Sequence, residues 1–127
     1  LDSQTKFVPT DMFHSPLPKD TELFSLIRVV HDHDDAPVIK LLRRIFEALR
    51  PGGNLLIAEP MAGTSGAEPI GDTYFSFYLW AMGSGRPRTP QEIIEMCMKA
   101  GFSKVQEVKT PIPALTKLLI AEKSGLT

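Results

Sequence analysis

Apolar and polar positions fall along this chain in blocks whose spacing predicts a βαβ core followed by a helix and a hairpin. From Glu22 to Val30 the run ELFSLIRVV is continuous, mostly apolar and of strand length, as expected of a buried parallel strand. It stops at the polar cluster His31-Asp32-His33-Asp34-Asp35. Val38, Leu41, Leu42, Ile45, Phe46 and Leu49 then recur at helical spacing, with Asp34 or Asp35 available as N-cap and Pro37 in the first turn. Arg50-Pro51-Gly52-Gly53 ends that helix, and Asn54 to Ala58 reads as a second strand with Glu59-Pro60 at its C-terminal end. Two apolar strands joined by one helix make a βαβ unit with a right-handed crossover, so the sheet is at least partly parallel.

Upstream of this unit, Lys6-Phe7-Val8-Pro9 reads as a strand end, and the prolines of Ser15-Pro16-Leu17-Pro18 favour extended loop. Downstream, a flexible loop over 62–67 leads to Asp72 to Met82, a segment dense in aromatics: Tyr74, Phe75, Phe77, Tyr78 and Trp80. Helical spacing would put Phe75, Tyr78, Leu79 and Met82 on one core-facing side. Thr89-Pro90-Gln91-Glu92 is a capping-box start, with proline at the first helical position, and Gly101 is the matching stop. Lys104 to Val108 and Leu115 to Glu122 read as two strands, and the short link through Pro111 and Pro113 implies an antiparallel hairpin. The expected architecture is an open α/β sheet, mostly parallel, with an antiparallel edge pair at the C-terminus.

Composition narrows the function classes. With 127 residues and 43% hydrophobic content, one domain can bury roughly two-thirds of its unfolded surface. Fourteen basic against fifteen acidic residues leave a net charge of −1, which disfavours a dedicated nucleic-acid-binding domain. Cys97 has no partner cysteine for a disulfide, which fits a reducing, cytoplasmic setting. No run approaches the roughly 20 apolar residues of a membrane-spanning helix. The start at Leu1-Asp2-Ser3, without methionine, suggests processing or a piece of something longer.

Ligands of open α/β sheets bind beyond the carboxyl ends of the strands, and there the chain gathers Asp11, His31, Asp32, His33 and Glu59. Asp34 and Asp35 read as helix caps, whereas His31 terminates a strand expected to be buried. The order His31-Asp32-His33-Asp34-Asp35 partly matches the H-x-H-x-D signature of binuclear hydrolases, but position 36 is alanine and His14 is the single further histidine. That supply is too small for two metals.

Taken together, HDHDD after a strand, ALRPGG closing the helix, LLIAEP, Arg88-Thr89 at a capping box and Ala100-Gly101-Phe102 resemble the C-terminal portion of a class I O-methyltransferase dependent on S-adenosylmethionine. The resemblance covers nearly the whole chain, and GDTYFSFYLWAMGSGRPRTPQEI is most similar to the carotenoid branch that methylates hydroxyneurosporene. It implies a partial Rossmann-like methyltransferase sheet. It also implies that residues 1–127 are the C-terminal part of a catalytic domain whose glycine-loop strands and N-terminal dimerisation domain lie upstream. By the same resemblance His31 would be the general base and Glu59 the carboxylate that orients it. Asp11, Met12, Phe13, Arg28 and His33 would contact the cofactor, and Tyr74, Phe77, Tyr78 and Trp80 would line the substrate pocket. Family members carry tryptophan at the place of His33 and a second carboxylate at that of Pro87.

The chemistry needs such a pair because an alcohol is a poor nucleophile: a base must accept its proton as the oxygen attacks the sulfonium methyl, and a carboxylate steadies the imidazolium. No metal is required. The implied substrate is small, lipophilic and hydroxylated, reached by peripheral access to a membrane, and the implied full-length enzyme is a homodimer. Tetrapyrrole or phenolic substrates, a degenerate non-catalytic binding module, and an α/β domain for another nucleotide are the competing readings. The last is weakened because Gly83-Ser84-Gly85 precedes a proline-arginine loop, where a phosphate cradle would stand between a strand and a helix.

Overall fold

The computed structural model describes residues 2–63, 75–113 and 115–125. Four strands form one open sheet in the order β1-β2-β4-β3: β1 (Thr21–Ile27), β2 (Leu49–Glu59), β3 (Lys104–Val108) and β4 (Lys117–Glu122). β1 runs parallel to β2, while β4 lies antiparallel to both β2 and β3. The α/β class and the C-terminal hairpin stand as expected. Among the described strands the sheet is mixed, because the chain returns through β4 beside β2 and leaves β3 at the edge.

α1 (Asp35–Ala48) joins the two parallel strands, and its Val38, Leu41, Leu42, Ile45 and Ala48 are buried, the stripe the helical spacing predicts. α3 (Pro90–Ala100) buries Ile93, Met96, Cys97 and Ala100. Both helices pack with Leu26, Leu55, Ile57, Leu119 and Ala121 in a single core cluster, so they cover one face of the sheet. The predicted capping box of α3 is present: Thr89 Oγ1 accepts from Glu92 N–H at 3.2 Å, and Glu92 Oε1 accepts from Thr89 N–H at 3.1 Å. At its other end Gly101 sits at φ +121°, where a Cβ would meet the Phe46 ring at 3.1 Å, so glycine is required there.

Four expectations change. The strand end at Lys6–Val8 is not a strand, and Phe7 is exposed. β1 stops at Ile27 because Arg28 turns into the left-handed region at φ +58°, and the expected strand tail becomes a short 3-10 turn, Val30–Asp32. β1 is also not buried on both faces: Leu26 is covered but Leu23 is 56% exposed, since among the described residues α1 and α3 cover only the side of the sheet that carries Leu26. β2 begins five residues early at Leu49, which pairs with Thr21; Arg50 to Gly53 then bulge out before Asn54 pairs with Leu23.

The aromatic segment departs further. α2 (Phe75–Met82) is a helix, but of the expected core face only Leu79 is buried; Tyr78 and Met82 are exposed, as are Phe77 and Trp80. The segment is apolar all round, so helical spacing gave no preferred side to bury. Tyr74, the side chain of Phe75 and the loop beyond residue 63 lie outside the described residues.

Candidate functional site

The carboxyl ends of the parallel strands β1 and β2 bring together the residues the sequence picks out. In β2 the side chains of Leu55, Ile57 and Glu59 alternate onto the helix-covered face, all of them buried. The carboxylate thus occupies the last inward-facing position of the strand and is 0% exposed. Across from it the 3-10 turn after β1 carries His31, 5% exposed.

The His31 ring lies between two carboxylates. Its Nδ1 is 3.6 Å from Glu59 Oε1, and its Nε2 is 3.2 Å from Asp32 Oδ1. The His31 main-chain N–H also donates to Glu59 Oε1 at 3.4 Å, while the second oxygen, Oε2, is buried without a hydrogen-bond partner. A buried carboxylate with an unused acceptor beside an imidazole is costly unless a charged or donating group engages it. The arrangement can therefore stabilise a positive imidazolium once His31 has taken a proton.

A second group of candidates forms a ledge beside the start of α1. Phe13 and His33 meet edge to face with ring centroids 5.0 Å apart. Together with His14, Ala36, Pro37 and Lys40 they line an open recess of about 470 Å³. Arg44 of α1 holds the loop beneath by donating to the carbonyls of Met12 and Ser15. Asp11 is committed largely to its own loop, accepting from Phe13 N–H at 2.8 Å and lying 2.9 Å from His14 Nδ1. The His14 contact, then the Phe13 N–H, hold its carboxyl below the usual range. Arg28 stands exposed at the exit of β1, its N–H bonded to Ala58 O at 2.8 Å.

Among the described residues, Phe77, Tyr78 and Trp80 stand on exposed sides of α2. The helix is nonetheless tied to the His31 turn, because its C-terminal residue is followed at once by the segment from Gly83 to Arg88, which lies against that turn. Asp34 is the expected N-cap residue of α1, but its side chain and that of Asp35 join this contact. Asp34 occupies the N-cap position without a side-chain cap bond; its Oδ1 accepts from Gly85 N–H at 2.9 Å. Asp35 Oδ1 accepts from Arg88 Nη2 at 2.7 Å.

Sequence reasoning named Arg88 only as part of a motif and gave it no role at the site. Its side chain is 0% exposed, and it also donates to Val30 O at 2.9 Å and His33 O at 2.7 Å. One signal was available. A cation immediately before a helix N-terminus opposes the helix dipole, so a fold that keeps one there must supply partners for it.

The model of the O-methyltransferase domain family matches residues 1–103. The chain is 43% identical over 117 residues to a demethylspheroidene O-methyltransferase of Rhodobacter capsulatus, covering 92% of this chain and 30% of that protein. It is 39% identical over 103 residues to an acetylserotonin O-methyltransferase of Mus musculus, covering 81% of this chain and 26% of that protein. Among solved structures it is similar to human N-acetylserotonin methyltransferase in complex with SAM, with a TM-score of 0.85 at 30% identity over 98% of this chain and 35% of that one. The chain thus spans less than a third of the length of these curated relatives.

Proposed function

The chain belongs to the O-methyltransferase domain family, and from that premise we propose that it is the base-bearing part of an S-adenosylmethionine-dependent O-methyltransferase acting on a lipophilic alcohol. The observation that carries this reading is the buried His31–Glu59 pair at the head of two parallel strands. His31 accepts the proton of the substrate hydroxyl, and Glu59 stabilises the charge that the ring acquires. The cofactor, when bound, supplies an electrophilic methyl on a sulfonium leaving group. Alignment of hydroxyl and methyl then provides most of the remaining acceleration.

The residues present fit the adenine side of that cofactor. The recess lined by Phe13, His33, Ala36 and Pro37 offers a mostly apolar surface with two aromatic rings, suited to a purine ring. Phe13 and His33 would hold it there. Asp11 would act mainly by shaping the loop, since its acceptors are already engaged.

Two substrate classes are open within this reading. The 43% identity to a demethylspheroidene enzyme and the exposed aromatic residues of α2 favour a long carotenoid alcohol; the acetylserotonin relatives favour a compact phenol. Methyl transfer by the full-length protein to each, compared by kcat/KM, separates them: preference for the polyene is expected, and preference for the phenol would remove the carotenoid assignment. His31→Asn should lower kcat by about two to four orders of magnitude with S-adenosylhomocysteine affinity kept. Unchanged turnover would take His31 out of the mechanism.

A further inference from the structure

The segment from Gly83 to Arg88 is a strap between α2 and α3, and its donors satisfy the His31 turn residue by residue. Val30 O accepts from Arg88 Nη1 at 2.9 Å, His31 O from Arg86 N–H at 3.0 Å, and Asp32 O from Ser84 Oγ at 3.0 Å. His33 O accepts from Arg88 Nη2 at 2.7 Å, Asp34 Oδ1 from Gly85 N–H at 2.9 Å, and Asp35 Oδ1 from Arg88 Nη2 at 2.7 Å and Nε at 3.1 Å. Each residue from Val30 to Asp35 is therefore gripped by the strap. The approach leaves no room for a side chain at Gly85, which adopts φ +82° and whose added Cβ would lie 2.2 Å from His31 O.

We infer that Arg88 is a positioning residue for His31: its guanidinium, bonded to the carbonyls of Val30 and His33 on either side, sets where the imidazole stands relative to Glu59. A buried cation is expensive unless its donors are engaged, and an apolar side chain would anchor α3 without that cost. What an apolar residue cannot do is bond two carbonyls and a carboxylate at once, as the donors of the guanidinium fork do here. Control is needed because Nδ1 and Oε1 stand 3.6 Å apart, just outside hydrogen-bond reach. A shift of the turn by tenths of an ångström decides whether base and carboxylate engage. The inference rests on the reading of His31 as the base, and its test has an arm that does not.

That arm is nitrogen-15 NMR of the histidine rings in this chain. Arg88→Lys keeps the charge and loses the fork; His31, which Asp32 and Glu59 face, should change its ring nitrogen shifts and tautomer balance, while His14 serves as internal reference. In the full-length protein the same variant should lose about a hundredfold in kcat, as a misplaced catalytic group does, with KM unchanged. It should add nothing in a His31→Asn background. A lowered melting temperature with unchanged His31 signals and retained kcat would make Arg88 a purely structural anchor and overturn the inference, as would a further rate loss in the His31→Asn background. If Arg88→Lys does not fold, Asp35→Asn, which removes the charge of the guanidinium's carboxylate acceptor, carries the same readouts. Full turnover by His31→Asn alone would defeat the base reading, whereas the ring signals would still report whether Arg88 places the imidazole.

Discussion

Asp35 shows how much a single carboxylate does when its partner is buried. The Arg88 hydrogen bond, against some desolvation and with further help from the Arg88 and Arg86 charges, holds its carboxyl below the usual value of 3.8. A group depressed in the folded state stabilises above its unfolded pKa and loses that contribution as pH falls through the folded one. Stability should therefore be insensitive to Asp35 near neutrality in its pH slope and fall as pH drops below about 4. Asp35→Asn should flatten the acid limb of a urea-denaturation series between pH 6 and pH 3. An unaltered acid limb would mean that the Asp35–Arg88 contact is not held in solution. At this scale legibility depended on distance along the chain. His31 and Glu59 could be read because each ends an apolar run, and a strand end is a local feature. The partners of Gly85 and Arg88 could not, because they lie some fifty residues earlier: a cation ahead of α3 signals that it needs partners, but no local pattern links the strap to the turn it grips.

At the scale of elements, local chemistry was a good guide where it closed on itself. α3 starts where Thr-Pro-Gln-Glu says it must, and both reciprocal bonds of the box are made. Thr89→Ala removes the acceptor for Glu92 N–H and should cost about 1 kcal/mol, read by chemical denaturation. Glu92 itself is held below its ordinary pKa although burial pushes the other way, because the Thr89 N–H and Arg86 outweigh it. α2 was legible as a helix but not in its orientation, since a helix apolar all round has no stripe to bury. Its residues Phe77, Tyr78 and Trp80 were read as pocket lining, and they stand exposed on a helix of eight residues. β1 shows the opposite limit: its continuous apolar run indicated burial on both faces, but a run of that kind records the cover available in the whole fold, and α1 and α3 supply it on one side only.

That one-sided cover governs the energetics of the whole molecule. Phe24 and Leu26 of β1 belong to the same cluster as the inward faces of α1, α3, β2 and β4, whereas Leu23 and Ile27 on the alternate face are more than half exposed. Neighbouring residues of one strand, similar in size and hydrophobicity, should thus differ sharply in their contribution. Leu26→Ala deletes buried methyl groups and leaves a cavity in the core cluster, so it should cost about 2–5 kcal/mol. Leu23→Lys and Ile27→Lys put an ammonium where water already reaches and should stay within about 0.5 kcal/mol of the parent. Urea denaturation of the three variants at neutral pH measures the contrast. A large loss from Leu23→Lys or Ile27→Lys would mean that the face opposite α1 and α3 is covered in solution. In that case the run ELFSLIRVV was a truer guide to burial than the four-stranded sheet alone.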